Sequence, residues 1–398
     1  TTRVVNWTNS EGLSAGAVKY TSTSGADSGT VYNGDLTGKL GSGAQNVDIN
    51  GLVNGSTYSL TVSGTDIAGN SATVTNTGIV YDSVGPVFTP VSPAAGVKVG
   101  PTSRTVSWSN NEALSAGEVK YVSTAGSDSG SGYANNMTGK LSQGNQSVDL
   151  GALVNGSTYT LTVAGTDTVG NPGTTVTRAG IVYDDEAPTF GSVTPNTNDW
   201  INAATRMVYW TNSESLSGGT ITYTRTGGSA DTDSPHSAGM TGKLGAGAQN
   251  IDLGALVEGT IYKLDINGTD DADNEGVMSS RTNISYDTVA PGLGVVTPAT
   301  NAKIRAATRS VAWTNSEVMG NGTVSYVWTG GSADTGSPHS VTMSGAGKTG
   351  SGAQSYDFGA GVLVHGATYK LAMNCTDRAG NVFAEPDHTG IMYDEVGP

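Results

Sequence analysis

Cysteine is almost missing from this 398-residue chain. Its one thiol, Cys375, excludes an intrachain disulfide framework and reads as a small buried residue. Phenylalanine is scarce too, at four residues, and charged side chains make up 13% where ordinary globular chains carry about 25%. Basic residues number 19 against 34 acids, a net charge of −15. With no basic stripe to displace counterions, nucleic acid is not an expected partner, and anionic membrane surfaces are disfavoured by the same repulsion. No apolar run approaches the ~18–20 residues of a membrane span, so no membrane insertion is expected of this segment. No signal peptide is visible, and no segment carries a sustained helical stripe. A nucleophile with its base and orienting partner, a phosphate-cradling glycine loop and paired catalytic carboxylates are all missing, so an enzyme is not expected. Cations remain as the natural partners of so acidic a chain.

What is present is repetition. Trp7, Trp108, Trp210 and Trp313 are spaced by 101, 102 and 103 residues. Gly64-Thr65-Asp66-Ile67-Ala68-Gly69-Asn70 returns around Asp167, Asp270 and Asp377, ending each time in an Asn. Tyr81-Asp82, Tyr183-Asp184, Tyr286-Asp287 and Tyr393-Asp394 close the units, each followed by a Gly-Pro or Ala-Pro pair, the last being Gly397-Pro398. Three markers sharing one period define a repeat. The boundaries expected are 1–86, 87–188, 189–291 and 292–398. The chain opens at Thr1-Thr2-Arg3-Val4-Val5-Asn6-Trp7, which aligns with the middle of later units. The first unit is therefore expected to lack its entry strand, and the chain to be a segment of a longer polypeptide.

Within a unit the period is two. Thr105-Val106-Ser107-Trp108-Ser109 and Tyr159-Thr160-Leu161-Thr162-Val163 alternate, and Gly or Pro interrupts every few residues. Six to eight short strands in ~100 residues predict an all-β fold of four tandem immunoglobulin-like or fibronectin-III-like Greek-key sandwiches. Tyr58, Tyr159, Tyr262 and Tyr369, each six residues after a Leu, match the tyrosine corner of such sandwiches. The repeated Trp is expected to fill the core opposite them.

Each Trp is followed by an acid: Glu11, Glu112, Glu214 and Glu317. In a Greek-key sandwich the loop holding this Glu and the Thr-Asp loop lie at the end where the chain enters from the preceding unit. Three carboxylates are thus expected to meet at each junction: Asp82, Glu112 and Asp167; Asp184, Glu214 and Asp270; Asp287, Glu317 and Asp377. Asn171 lies near the first set as an amide or carbonyl donor. Such a group repels itself unless a cation sits within it. Ca²⁺ suits it, since calcium accepts six to eight oxygens at flexible angles, whereas magnesium demands tight octahedral geometry and zinc favours His or Cys. The bland alternative is that each loop Asp makes an Asx-turn, with Gly-Asn supplying positive φ. The third unit departs by carrying Asp273 where the others have Gly, with Asp271 nearby, so its site is expected to be richer in ligands or differently shaped.

With these elements in order, the chain resembles the tandem bacterial immunoglobulin-like, calcium-binding repeats of large cell-surface adhesins. The resemblance implies an extracellular rod in which calcium at domain junctions stiffens the string. It assigns the ligand role to Glu11, Asp66 and Asn70 and their counterparts, including Asn171, Asn274 and Asn381, and to the linker acids. Asp394 would serve a following unit. The expected partners are neighbouring repeats of a longer chain, with other copies in an extracellular filament or surface layer as an alternative. A third reading is a glycan- or protein-binding module using the inserts at 227–236 and 330–339, which end in His236 and His339.

Overall fold

A computed structural model of the chain describes residues 3–397; Thr1, Thr2 and the Pro398 of the last closing motif lie outside the described residues. Every regular element described is a β-strand, and no helix among the described residues is long and apolar enough to cross a membrane. Four separate hydrophobic cores follow one another along the chain, built around Tyr58, Trp108, Trp210 and Trp313. The chain forms two compact units, Thr1–Glu186 and Ala187–Pro398, each holding two of these cores.

In the first repeat, β1 (Val4–Asn9) pairs with β4 (Gly43–Asp48). A second sheet runs β3 (Val31–Asn33), β2 (Leu13–Ser24), β5 (Thr57–Asp66), β6 (Ser71–Val80). The second repeat adds an entry strand in two pieces. Its β7 (Phe88–Ser92) pairs antiparallel with β9 (Val106–Asn110), and β8 (Lys98–Val99) pairs parallel with the last strand, β14 (Val176–Tyr183). The three-stranded sheet is completed by β12 (Gly144–Val148). The five-stranded one is completed by β10 (Leu114–Ala125), β11 (Gly132–Asn135) and β13 (Thr158–Asp167). The third and fourth repeats each show the same three-plus-five arrangement. This is the two-layered sandwich that the period of two predicts.

The alternation works as expected. Val106, Trp108 and Asn110 face inward from β9 while Ser107 faces solvent. The indole Nε1 of Trp108 donates to Asn110 Oδ1 at 2.9 Å, and Asn110 Nδ2 donates to the carbonyls of Lys140 and Ser142. A buried Trp needs such a partner for its N–H, and the bond fixes the end of the strand against a distant turn. The same Trp-X-Asn tie recurs at Trp7, Trp210 and Trp313.

The tyrosine corner is present in all four repeats. Val53, Val154, Val257 and Val364 each donate a backbone N–H to the phenol five residues on. Each phenol in turn donates to a carboxylate: Asp27, Asp128, Asp231 or Asp334. In repeats one and two that carboxylate takes a second bond from Tyr32 or Tyr133; in repeats three and four His236 or His339 takes that place at 2.7 Å. The insert histidines are therefore turned inward to lock their own loop.

Two of the scarce phenylalanines share one task. The ring of Phe88 lies over Gly165 and Gly173, and that of Phe190 over Gly268 and Gly276, each pair of glycines joined by a backbone hydrogen bond. In the fourth repeat the aromatic has changed strand. Phe383 sits across from Cys375, and Leu293 stands where the other repeats have Phe. Cys375 is 1% exposed, and burial pushes its thiol up to about 11, with Asp377 and Glu317 adding to the effect. It is the small buried residue that the sequence suggests.

Candidate metal centre

Strand register places the acids. Leu114 lies opposite Asp167 across β10 and β13, so Glu112, two residues earlier, stands at the mouth of the Thr-Asp loop. The Ser115 hydroxyl donates to the Asp167 carbonyl and ties the two loops together. Met319 opposite Asp377 does the same for Glu317. The linker then delivers its acid. Asn171 Nδ2 donates to the Asp82 carbonyl at 3.1 Å, and Asn381 Nδ2 to the Asp287 carbonyl at 2.9 Å.

Within the first unit, Asp82, Glu112 and Asp167 each bring a carboxylate oxygen within 4.8 Å of the others; within the second unit Asp287, Glu317 and Asp377 do the same. Asp167 and Asp377 are 1% and 3% exposed. Burial, then Asp82 and Asp167, push the Glu112 carboxyl above its ordinary range. Glu317 is raised by burial and then by Asp287, Asp377 and Glu258, and Asp287 is raised chiefly by burial. These shifts are what uncompensated like charges in a partly desolvated pocket produce. All donors are hard oxygens with no His or Cys among them, so the sets fit a calcium-type cation.

The loop Asp has a second task, the turn-shaping one. Asp167 Oδ1 accepts the backbone N–H groups of Val169, Gly170 and Asn171, and Oδ2 accepts Asn171 Nδ2. Those bonds hold its carboxyl below the usual range although burial opposes them. Asn171 accordingly points its nitrogen, not its oxygen, at the linker and the acids. Asn381 makes the corresponding bonds, its Nδ2 donating to Asp377 Oδ2 and to the Asp287 carbonyl. Asp273 takes a φ of 66°, in the left-handed region that Gly170 and Gly380 use at 98° and 88°, so the third loop keeps the common turn. Asp tolerates that conformation better than most side chains.

The remaining predicted residues are placed as follows. Asp270 is fully buried and accepts the N–H of Ala272 and both nitrogens of Asn274; Glu214 is half-buried in the same repeat. Asp184, in the first unit, is 9% exposed and pairs with Lys98 at 2.9 Å. Among the described residues Glu11, Asp66 and Asn70 join no third carboxylate. Glu11 is exposed, and Asp66 is lowered chiefly by its bond from the Asn70 side chain. Asp394 is half exposed and faces His365 Nδ1 at 3.4 Å.

One acid at the third junction escapes the sequence reading. Glu258 Oε2 accepts both the N–H and hydroxyl of Thr288 in the linker, where Asn54 accepts the N–H of Ser83 in the first repeat. Its signal is the change from Val-Asn-Gly-Ser to Val-Glu-Gly-Thr.

No family model matches the chain, and no curated protein does. Among solved structures, the tetra-tandem repeat in the extending region of a large adhesion protein is 19% identical, at a TM-score of 0.31, covering 97% of this chain and 94% of that one. A 1.5-MDa bacterial ice-binding adhesin, solved in connection with host cell surface retention, is 16% identical at 0.27, covering 79% and 100%. The FN1–FN3 domains of chicken CNTN1 are 10% identical at 0.29, covering 76% and 97%. The sandwich architecture rests on the chain's own sheets and cores, and these likenesses add neither a site nor an activity to it.

Proposed function

We propose that this chain is a structural segment of an extracellular stalk on a large surface adhesin, its sandwiches joined in series and stiffened by Ca²⁺ at their junctions. The observation that carries this reading is the convergence of carboxylates from three separate stretches on one point of each junction described: the linker, the loop after the Trp strand and the Thr-Asp loop. A cation bound there draws the linker of one repeat onto two loops of the next, and so couples their orientations. By sequence equivalence Asp184, Glu214 and Asp270 form the middle set. Asp394 is the linker acid for a repeat that would follow. The motif resemblance to adhesin repeats supports the same role, in which the chain spaces and projects rather than catalyses.

Small-angle scattering of the whole chain with calcium and with chelator tests this. The expected outcome is a longer, better-defined maximum dimension in calcium. An unchanged scattering curve would overturn the stiffening role.

A further inference from the structure

The junction between the third and fourth repeats carries contacts that use no carboxylate. The Arg378 guanidinium, one residue beyond Asp377, lies over the Trp200 ring at 5.8 Å. Asn202 Nδ2 donates to the Ala379 carbonyl at 2.9 Å and to Asn381 Oδ1 at 3.2 Å. Asn381 is thereby held at both ends, since its own Nδ2 donates to the Asp287 carbonyl and to Asp377 Oδ2. Asn202 Oδ1 meanwhile accepts the N–H groups of Ala204 and Thr205, which fixes the side chain before it crosses to the neighbour.

The junction between the first two repeats has no guanidinium in the corresponding loop position among the described residues. Thr168 stands in the place of Arg378, and there Asn171 Nδ2 donates to the Asp82 carbonyl while Asn111 Oδ1 accepts the Val87 N–H.

We propose that Trp200, Asn202 and Arg378 form a cation-independent clasp that holds the third and fourth repeats in register when the acidic set between them is empty. The stalk would then loosen unevenly as calcium falls: the first junction becomes a hinge while the third stays closed. This goes beyond the calcium reading and shares with it only the premise that the junctions set the geometry. Both elements of the clasp lie at the surface, where an aromatic face and a guanidinium attract each other and two amide bonds supply direction.

Spin–spin distances in the full chain test it. One labelled protein carries Asn46→Cys and Ser147→Cys, across the first junction. The other carries Asn250→Cys and Ser355→Cys, across the third. All four sites are exposed positions on corresponding strands. In chelator the first distribution is expected to broaden at least twofold while the third stays within its width in calcium. Adding Arg378→Ala with Asn202→Asp, which keeps the Asn202 turn acceptor but removes the donor, is expected to broaden the third as well. Equal broadening of both junctions in the parent chain, or no effect of the double variant in chelator, would overturn the clasp. If chelator leaves the first junction unchanged, the calcium reading fails instead. The clasp then stands or falls on whether the double variant broadens the third distribution.

Discussion

The first and third junctions hold the same three acids by different means. At the first, the linker is strapped by Asn54 to Ser83 and by Asn111 to Val87, and Gly85 packs so closely that a Cβ would lie 2.1 Å from the Pro172 carbonyl. At the third, the straps are Glu258 to Thr288 and Ser316 to Gly292, and Ala290 stands where Gly85 does. One junction gains closeness through a missing side chain. The other gains charge, and with it a stronger need for a counterion. A shared convergence of acids thus does not require a shared frame, because the register of two strands and one linker already brings the acids together.

The largest expected effect comes from the turn acid itself. Asp167→Ala removes four hydrogen bonds to a buried carboxylate and is expected to cost the second repeat about 3 kcal/mol in local opening, read by hydrogen exchange. Asp66→Ala, at the less buried counterpart, is expected to cost clearly less. Equal losses would show that these loops matter only as turns. Next, Gly85→Ala should push the linker off its loop and weaken calcium binding at the first junction about tenfold, about 1.4 kcal/mol, by isothermal titration. Ala290→Gly at the third should leave affinity within twofold. Glu258→Asn, which restores the first junction's strap, is expected to weaken the third site severalfold; an unchanged affinity would remove Glu258 from the site.

The smallest effect concerns pH. Glu112, Glu317 and Asp287 have folded pKa values raised above their unfolded ones, so each penalises the folded state once ionised. That penalty is absent below the unfolded pKa and complete above the folded one, so the metal-free chain should lose stability as pH rises through this interval. Glu112→Gln and Glu317→Gln should therefore stabilise the chain in chelator at neutral pH, by less than about 1 kcal/mol given solvent screening, and destabilise it in calcium. The lowered carboxyls of Asp128 and Asp334 act in the opposite direction. Their stabilisation is present above the unfolded pKa and is lost as pH falls through the folded one. Thermal melts from pH 3 to 8, with and without calcium, separate the two.

Much of this is written in the sequence because a period of two needs only a buried face. Val106, Trp108, Tyr159 and Leu161 announce the core, and the fixed spacing of Tyr-Asp, Trp-to-Glu and Thr-Asp places three acids at one end. Other features depend on contacts whose partners are far apart in the chain. Asn202 and Arg378 are 176 residues apart, and neither stands out beside its neighbours. Glu258 reads as a solvated loop acid until the linker is seen to fold back on it. The bond of Asn171 to the linker follows from which end of a planar amide faces it, and residue type alone does not set that.

Calcium stoichiometry tests the central claim most directly. Isothermal titration of the full chain should give three sites, falling to one when Glu112→Gln and Glu317→Gln are combined and the middle set is left intact. No calcium binding by the parent chain, or an unchanged number of sites in the double variant, would contradict the account.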